Sequence, residues 1–261
     1  MLSKLLKYEL KATARIFLPL YLVLFSFAFI NRIITSFSPQ QPQTPQVISM
    51  IIYVSILVGM FVVTFVMMLQ RFYKNLLSEE GYLMFTLPTK TWNHIISKLL
   101  VAMMWIIASG IAAMISILII SATRPAITEF LRVISEIPAE VFTASSVLFM
   151  FEMMLIGLAS LASGVLIIYA SIAIGHLFNQ HRIIASVGAF IALSTITQIL
   201  VALLAVVFRF SININNSFET FQAVEPMIHI VMWVIILTTA LPALGYFLIT
   251  NYILSNRLNL E

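Results

Sequence analysis

Long apolar stretches alternate with short polar segments along the whole chain. A helix needs about 20 apolar residues to cross the hydrocarbon core of a membrane, and six stretches reach that length. They lie near residues 16–35, 47–69, 98–121, 146–175, 183–208 and 227–252. The pattern predicts an all-α polytopic membrane protein with six transmembrane helices, forming a single transmembrane domain over residues 1–261.

The first 15 residues have a different pattern from the spans. Residues three or four apart share one face of a helix, and four basic side chains follow that spacing: Lys4, Lys7, Lys11 and Arg15. The opposite face carries Leu2, Leu6, Leu10 and Thr13. We expect an amphipathic helix over residues 1–15 that lies in the headgroup region of a membrane, with its apolar face toward lipid.

Glu9 stands toward the apolar side of this helix, with no basic residue three or four positions away. Two interpretations are open. Its side chain extends to water, as long side chains near an interface often do, or it contacts the segment between the second and third spans or a partner subunit.

The composition agrees with a membrane protein. The chain is 61% hydrophobic and 9% charged, whereas soluble domains carry about 25% charged residues. It contains no cysteine, which excludes disulfides and thiolate metal sites. A formal charge of +4 gives no indication of nucleic-acid binding.

The basic residues indicate the orientation, because Lys and Arg near span ends stay on the cytoplasmic side. With the amino terminus inside, the inner segments hold Lys4, Lys7, Lys11, Arg15, Arg71, Lys74, Lys90, Lys98, Arg182 and Arg257. The outer segments hold Arg32, Arg124, Arg132 and Arg209. Both termini are therefore predicted to be cytoplasmic.

A charged segment over residues 70–97 separates the second and third spans on the predicted inner side. Glu79, Glu80 and Gly81 are typical of a helix end followed by a tight turn, and Leu87-Pro88 marks a second break. These signals predict a short helix lying across the membrane surface. The alternative is a long solvated connection, although links in helical bundles usually have about 2–8 residues.

This segment, SEEGYLMFTLPTKTWNHIISKLL, resembles the cytoplasmic segment between spans two and three of bacterial type-two ABC exporter permeases. The opening LLKYELKATAR and the closing NYILSNRLNLE resemble the ends of small Gram-positive permeases of that family. The resemblance implies a coupling helix that docks on an ATPase subunit. Carried over by position, the turn is Glu79, Glu80 and Gly81, and the contact comprises Leu87, Pro88, Thr89, Lys90 and Trp92.

The resemblance also implies the partners. In that family two ATPase subunits hold ATP and Mg²⁺, and this chain, which has no G-x-x-x-x-G-K-[ST] phosphate loop, is expected to bind no cofactor and to be no enzyme. A second permease copy completes the transporter in the bacterial plasma membrane. The expected cargo is apolar or amphipathic, such as a peptide, an antimicrobial or a lipophilic compound.

Glu152 is the acidic residue deepest within an apolar span, where a charge costs about 2.5–3.5 kcal/mol on insertion scales. It lies about 8 Å below the outer edge of its span, at 1.5 Å per residue. One interpretation is a structural pair with Arg124, Arg132 or Arg209, or extension to water. The other is a polar point on a substrate pathway, with Ala159 and Ser163 on the same face.

Two other function classes stay open. A stand-alone ion-coupled carrier or channel usually shows internal repeats or several buried ionisable groups, and an intramembrane metalloenzyme requires clustered His and acidic ligands. Neither pattern is visible, and no metal site is predicted. Gly157, Ser160 and Gly164 form a small-residue face of the fourth span, which predicts close helix packing.

Overall fold

The computed structural model describes residues 2–37, 44–76, 90–122, 124–136, 143–178, 180–211 and 221–256. Within these ranges the chain forms seven helices and no strand. They are α1 (Leu2–Phe37), α2 (Thr44–Leu76), α3 (Thr91–Ser121), α4 (Arg124–Ser135), α5 (Ala144–Gly175), α6 (Arg182–Ser211) and α7 (Phe221–Asn256).

Six of these described helices, all except α4, are long and apolar enough to cross a membrane. The prediction of an all-α protein with six spans is therefore confirmed, and the chain is a multi-pass membrane protein. Each observed helix extends beyond the predicted span. The reason is that the hydrophobic signal stops where polar residues begin, whereas the helical backbone continues into the flanking segments.

By internal contacts the chain divides into two compact units. The first comprises Met1–Arg71 and Ile96–Val141, and the second comprises Phe72–Ile95 and Phe142–Glu261. Helices α2 and α3 each contribute residues to both units. The single transmembrane domain expected from the sequence stays a prediction.

Helices α1, α2 and α3 hold the core of the first unit. One cluster of buried side chains consists of Leu24, Ala28, Tyr53, Met60, Ala112 and Ala113. Hydroxyl groups bridge the same helices: Tyr21 and Thr64 lie 2.9 and 3.0 Å from Ser109, and Tyr53 lies 2.8 Å from Ser116. Because Ser109 and Ser116 are seven residues apart, one face of α3 meets both neighbouring helices through polar contacts.

The second unit is built on α5, which packs against both α6 and α7. Thr197 of α6 and Tyr246 of α7 are joined by a hydrogen bond between their hydroxyl groups. The turn from α5 to α6 is tight, and His181 takes a left-handed backbone conformation there, with φ of 59°. Residues other than glycine rarely adopt this backbone conformation.

Gly175, the last residue of α5, lies directly against the first turn of α6. A Cβ at this position would lie 1.9 Å from the Ser186 Oγ and 2.8 Å from the Arg182 carbonyl oxygen. Such distances are too short for any side chain, and the carbonyl belongs to the backbone. Glycine is therefore required for the close approach of α5 and α6 at this turn.

We expect Gly175→Ala to lower the free energy of unfolding by about 1–3 kcal/mol, the usual cost of overpacking. Gly245→Ala in α7 is the control, because a Cβ there meets no atom within 4 Å. Thermal unfolding of the two purified variants in detergent measures the difference. Equal unfolding temperatures would contradict the close approach.

Candidate functional site

Most of the predicted coupling residues lie outside the described residues. These are Glu79, Glu80, Gly81, Leu87, Pro88 and Thr89. Lys90 and Trp92 are described, and both are exposed at the beginning of α3. The Lys90 carbonyl accepts a hydrogen bond of 2.9 Å from the Asn93 backbone N–H, which belongs to the first turn of the helix. Their proposed contact with an ATPase stays a prediction.

The helix ends on either side of residues 77–89 are firmly packed in the second unit. Phe72, in the last turns of α2, stacks on Tyr169 of α5 with ring centroids 3.9 Å apart and planes 9° apart. Both rings are almost fully buried, and so are Leu76 of α2 and Ile95 of α3. The end of α2 that precedes residues 77–89 is therefore joined to α5 by a buried aromatic contact.

A second ring contact reinforces the first. Tyr73 lies with its ring centroid 5.4 Å from that of His176, which caps the carboxyl end of α5. Burial, with a smaller effect of the Arg182 charge, lowers the pKa of His176 below its usual value. The imidazole is therefore neutral at pH 7 and packs against Tyr73 as an uncharged ring.

The structure gives Glu9 a partner within this chain. The Lys98 Nζ lies 2.7 Å from the Glu9 Oε1, and the Arg71 guanidinium lies 3.9 Å from the Oε2. Arg71 belongs to the segment over residues 70–97, and Lys98 follows that segment directly. Of the two interpretations of Glu9, contact with this segment agrees with the structure.

The amino-terminal helix differs from expectation in its surroundings. Residues 2–15 are the first turns of α1, which continues to Phe37 without a break. The basic face is exposed as predicted: Lys4, Lys7, Lys11 and Arg15. The apolar face, however, packs on α3 instead of facing lipid, since Leu6, Leu10 and Ala14 contact a cluster that includes Val101 and Trp105.

Polar contacts explain this packing. The Trp105 indole N–H donates a hydrogen bond of 2.7 Å to the Thr13 hydroxyl, which itself donates to the Glu9 carbonyl at 2.8 Å. The Phe17 ring stacks on Trp105 with centroids 4.3 Å apart. Contacts of Thr13 and Glu9 thus orient this face of α1 toward α3. Hydrophobicity alone would allow the same face to point toward lipid.

Glu152 is fully buried, and its partner is His229 of α7 rather than an arginine. The His229 Nδ1 lies 2.8 Å from the Glu152 Oε2, and the His229 Nε2 lies 3.1 Å from the Ser145 Oγ. Of the interpretations of Glu152, a pair with Arg132 is not observed, because Arg132 pairs with Glu129 and Glu136; the side chains of Arg124 and Arg209 are not among the described ones.

Sequence reasoning missed His229 because it is 77 residues from Glu152. From the predicted span beginnings near 146 and 227, Glu152 lies six residues in and His229 two. The equal offset of eight residues appears only from the observed helix beginnings, α5 at Ala144 and α7 at Phe221. Alternate spans run in the same direction across a membrane. Two ionisable residues at equal depth in spans four and six are therefore candidates for a pair.

The three groups form a short polar chain. The carboxylate accepts from the Nδ1 hydrogen, and the Ser145 hydroxyl can either donate to a neutral ring or accept from a protonated one. The Glu152 Oε1 is buried without a hydrogen-bond partner in the described part of the chain. Both hydrogen bonds of the imidazole are thus compatible with a neutral and with a protonated ring.

The other residues of the predicted pathway are less distinctive. Ala159 and Ser163 are half-buried on α5. The small-residue face of Gly157, Ser160 and Gly164 is exposed, and a Cβ on either glycine meets no atom within 4 Å. Among the described residues no three His, Asp or Glu side chains come together as metal ligands.

No protein-family model, curated protein or solved structure matches the chain. The family resemblance therefore stays a prediction. What the fold shows is a six-span membrane protein, an architecture that suggests a transport-type function.

We expect Glu9→Gln to destabilise the protein by about 3–5 kcal/mol, because it removes the carboxylate charge that lies 2.7 Å from the Lys98 ammonium, whose side chain is 1% exposed. The double variant Glu9→Gln/Lys98→Met should lose less than the sum of the two single changes. Lys11→Gln on the exposed face is the control, with an effect within about 0.5 kcal/mol. Thermal unfolding in detergent measures all four variants, and a Glu9→Gln variant as stable as the control would contradict the pair.

Proposed function

We propose that this chain is the permease subunit of an ATP-driven exporter of the bacterial plasma membrane. Two permease copies enclose a pathway, and two soluble ATPase subunits supply the energy by hydrolysing ATP with Mg²⁺. In this proposal the chain itself binds no nucleotide. Its function is to convert a push at residues 77–89 into a change of the pathway.

The observation that supports this proposal best is the anchoring of the segment at both ends. The last turns of α2 and the first turns of α3 belong to the same compact unit as α5, α6 and α7. Phe72 and Tyr73 contact α5 at Tyr169 and His176. A force applied to residues 77–89 would therefore act on three spans together.

Helix α5 offers a direct route for that force. Tyr169 lies 17 residues after Glu152 on the same uninterrupted helix, a distance of about 26 Å at 1.5 Å per residue. A displacement at Tyr169 would shift the Glu152–His229 pair. Switching also requires that substrate bind the two states with different affinity, which a buried carboxylate near one mouth of the pathway can provide.

Exposed surface on the second unit supports a second permease copy. Gly157, Ser160 and Gly164 leave the backbone of α5 open to close approach, and small residues are typical of helix contacts in lipid. None of the described side chains in the apolar window of α6 is buried. We propose these two helices as part of the contact between copies.

The cargo follows from the same surfaces. The spans are apolar and carry few ionisable groups, so an apolar or amphipathic compound fits them best. Peptides, antimicrobials and lipophilic molecules are the proposed classes.

One observation favours a second candidate. The Ser145–His229–Glu152 chain places two ionisable side chains in contact between spans, and such groups are typical of ion-coupled carriers that work without an ATPase. Proton uptake by vesicles that contain this chain alone would favour that candidate.

The same groups also stand in the order of a serine-hydrolase relay, so labelling of Ser145 by a fluorophosphonate would favour an enzyme over both.

We expect replacement of residues 81–92 by a flexible Gly/Ser linker of equal length to leave the protein inserted but to abolish its binding to the ATPase. The ATPase to test is the soluble phosphate-loop protein encoded beside it. Co-purification and substrate-stimulated ATP hydrolysis are the measurements. The same linker in place of residues 212–220 is the control, and retained coupling in the first variant would contradict the proposal.

We expect Glu152→Gln to reduce transport about tenfold, since a charge-assisted hydrogen bond contributes about 1.5–3 kcal/mol, with little change in the amount of protein in the membrane. Gln keeps the shape of the side chain and a hydrogen bond to His229. Transport into vesicles and protein yield are measured together. Equal loss of both would identify Glu152 as structural.

A further inference from the structure

Helix α4 is short and strongly amphipathic. At 100° per residue, four large apolar side chains fall within one arc of its surface: Ile127, Phe130, Leu131 and Ile134. The opposite arc carries Glu129 and Arg132. Glu136 directly follows the helix, and its backbone N–H donates a hydrogen bond of 3.0 Å to the Arg132 carbonyl. This division of the surface is the pattern of a helix that lies between an apolar medium and water.

The apolar face is exposed in the part of the chain that the structure describes. Phe130 and Leu131 are 61% and 58% exposed, and Ile127 and Ile134 are 46% and 48% exposed. Four such side chains on one face form a contiguous apolar surface, which soluble proteins seldom leave in water. Something other than water must therefore cover this face.

The polar face is suited to water. The Arg132 guanidinium lies 2.7 Å from the Glu129 carboxylate and 3.9 Å from the Glu136 carboxylate. All three side chains are more than half exposed. This face pairs its own charges, so it does not require a charged partner.

The position of α4 along the chain identifies the covering medium. Span α3 ends at Ser121 and α4 begins at Arg124, so two residues hold α4 at the surface that α3 reaches. With 12 residues it is about 18 Å long, too short to cross the ~30 Å hydrocarbon core. The end of α3 leaves Ile117 and Leu118 more than half exposed, and the apolar face of α4 begins at Ile127, nine residues after Leu118 in the chain.

We propose that α4 is an interfacial helix bound to the lipid bilayer. Its apolar face lies among the upper acyl chains and its ion-paired face lies in the headgroup region. The partner is a zwitterionic monolayer, because Glu129, Arg132 and Glu136 give this face no excess of positive charge. The basic face of α1, with four exposed cations, has the opposite electrostatic character. This inference does not depend on the proposed transport function.

The absence of cysteine from the natural chain allows a direct test by single spin labels. The variants are Phe130→Cys and Ile134→Cys on the apolar face, with Glu129→Cys and Glu136→Cys as matched controls on the other face. The full-length protein is reconstituted in phosphatidylcholine vesicles. Collision of each label with oxygen, which dissolves in lipid, and with a water-soluble nickel chelate is measured by electron paramagnetic resonance.

We expect labels at 130 and 134 to collide several-fold more with oxygen than with the chelate, and labels at 129 and 136 to show the reverse. Added phosphatidylglycerol should leave the pattern unchanged. Equal chelate collision at all four positions would place the helix in water and overturn the proposal. Shielding of 130 and 134 from both reagents would show that protein covers the face, with the same consequence.

Discussion

Helices within lipid gain little by burying apolar side chains against each other, because lipid is as apolar as the side chains are. The structure obeys this constraint throughout. Large apolar residues face outward, such as Ile183 and Leu118, while Asn31, Ser109 and Glu152 are fully buried. Polar contacts therefore help to determine which helix faces meet, together with apolar clusters such as that of Leu24, Met60 and Ala112.

In the first unit these contacts determine whether the amino-terminal residues pack on a helix or face lipid. A basic amphipathic helix can turn its apolar face to lipid or to a neighbouring helix, and the hydrophobic term is similar in both cases. Glu9 and Thr13 favour the neighbouring helix, because a carboxylate and a hydroxyl on that face are costly in lipid. On α3 they contact Lys98 and Trp105. The beginning of α1 thereby becomes part of the bundle.

The sequence was sufficient for the spans, since each depends on about 20 consecutive residues and a local average. It was insufficient for the polar pairs, which join residues far apart in the chain. Lys98 is 89 positions from Glu9, and His229 is 77 from Glu152. The depth of a residue within its span reduces the number of candidate partners. Depth alone, however, does not tell which helix packs against which. The resemblance to exporter permeases rests on a segment that is mostly outside the described residues, so its role stays a prediction.

The second unit places two different kinds of contact on one helix. At the carboxyl end of α5 the contacts are aromatic and buried, with Tyr169 stacked on Phe72, and such packing transmits displacement because it resists deformation. Near the amino end of α5 the contacts are between polar and ionisable groups: Glu152 contacts His229, which contacts Ser145. The strength of these contacts depends on the charge of the two ionisable side chains. A helix without an internal break between the two ends is stiff along its axis. The buried stacking of Phe72 on Tyr169 therefore joins the end of α2 to the same unbroken helix that carries Glu152.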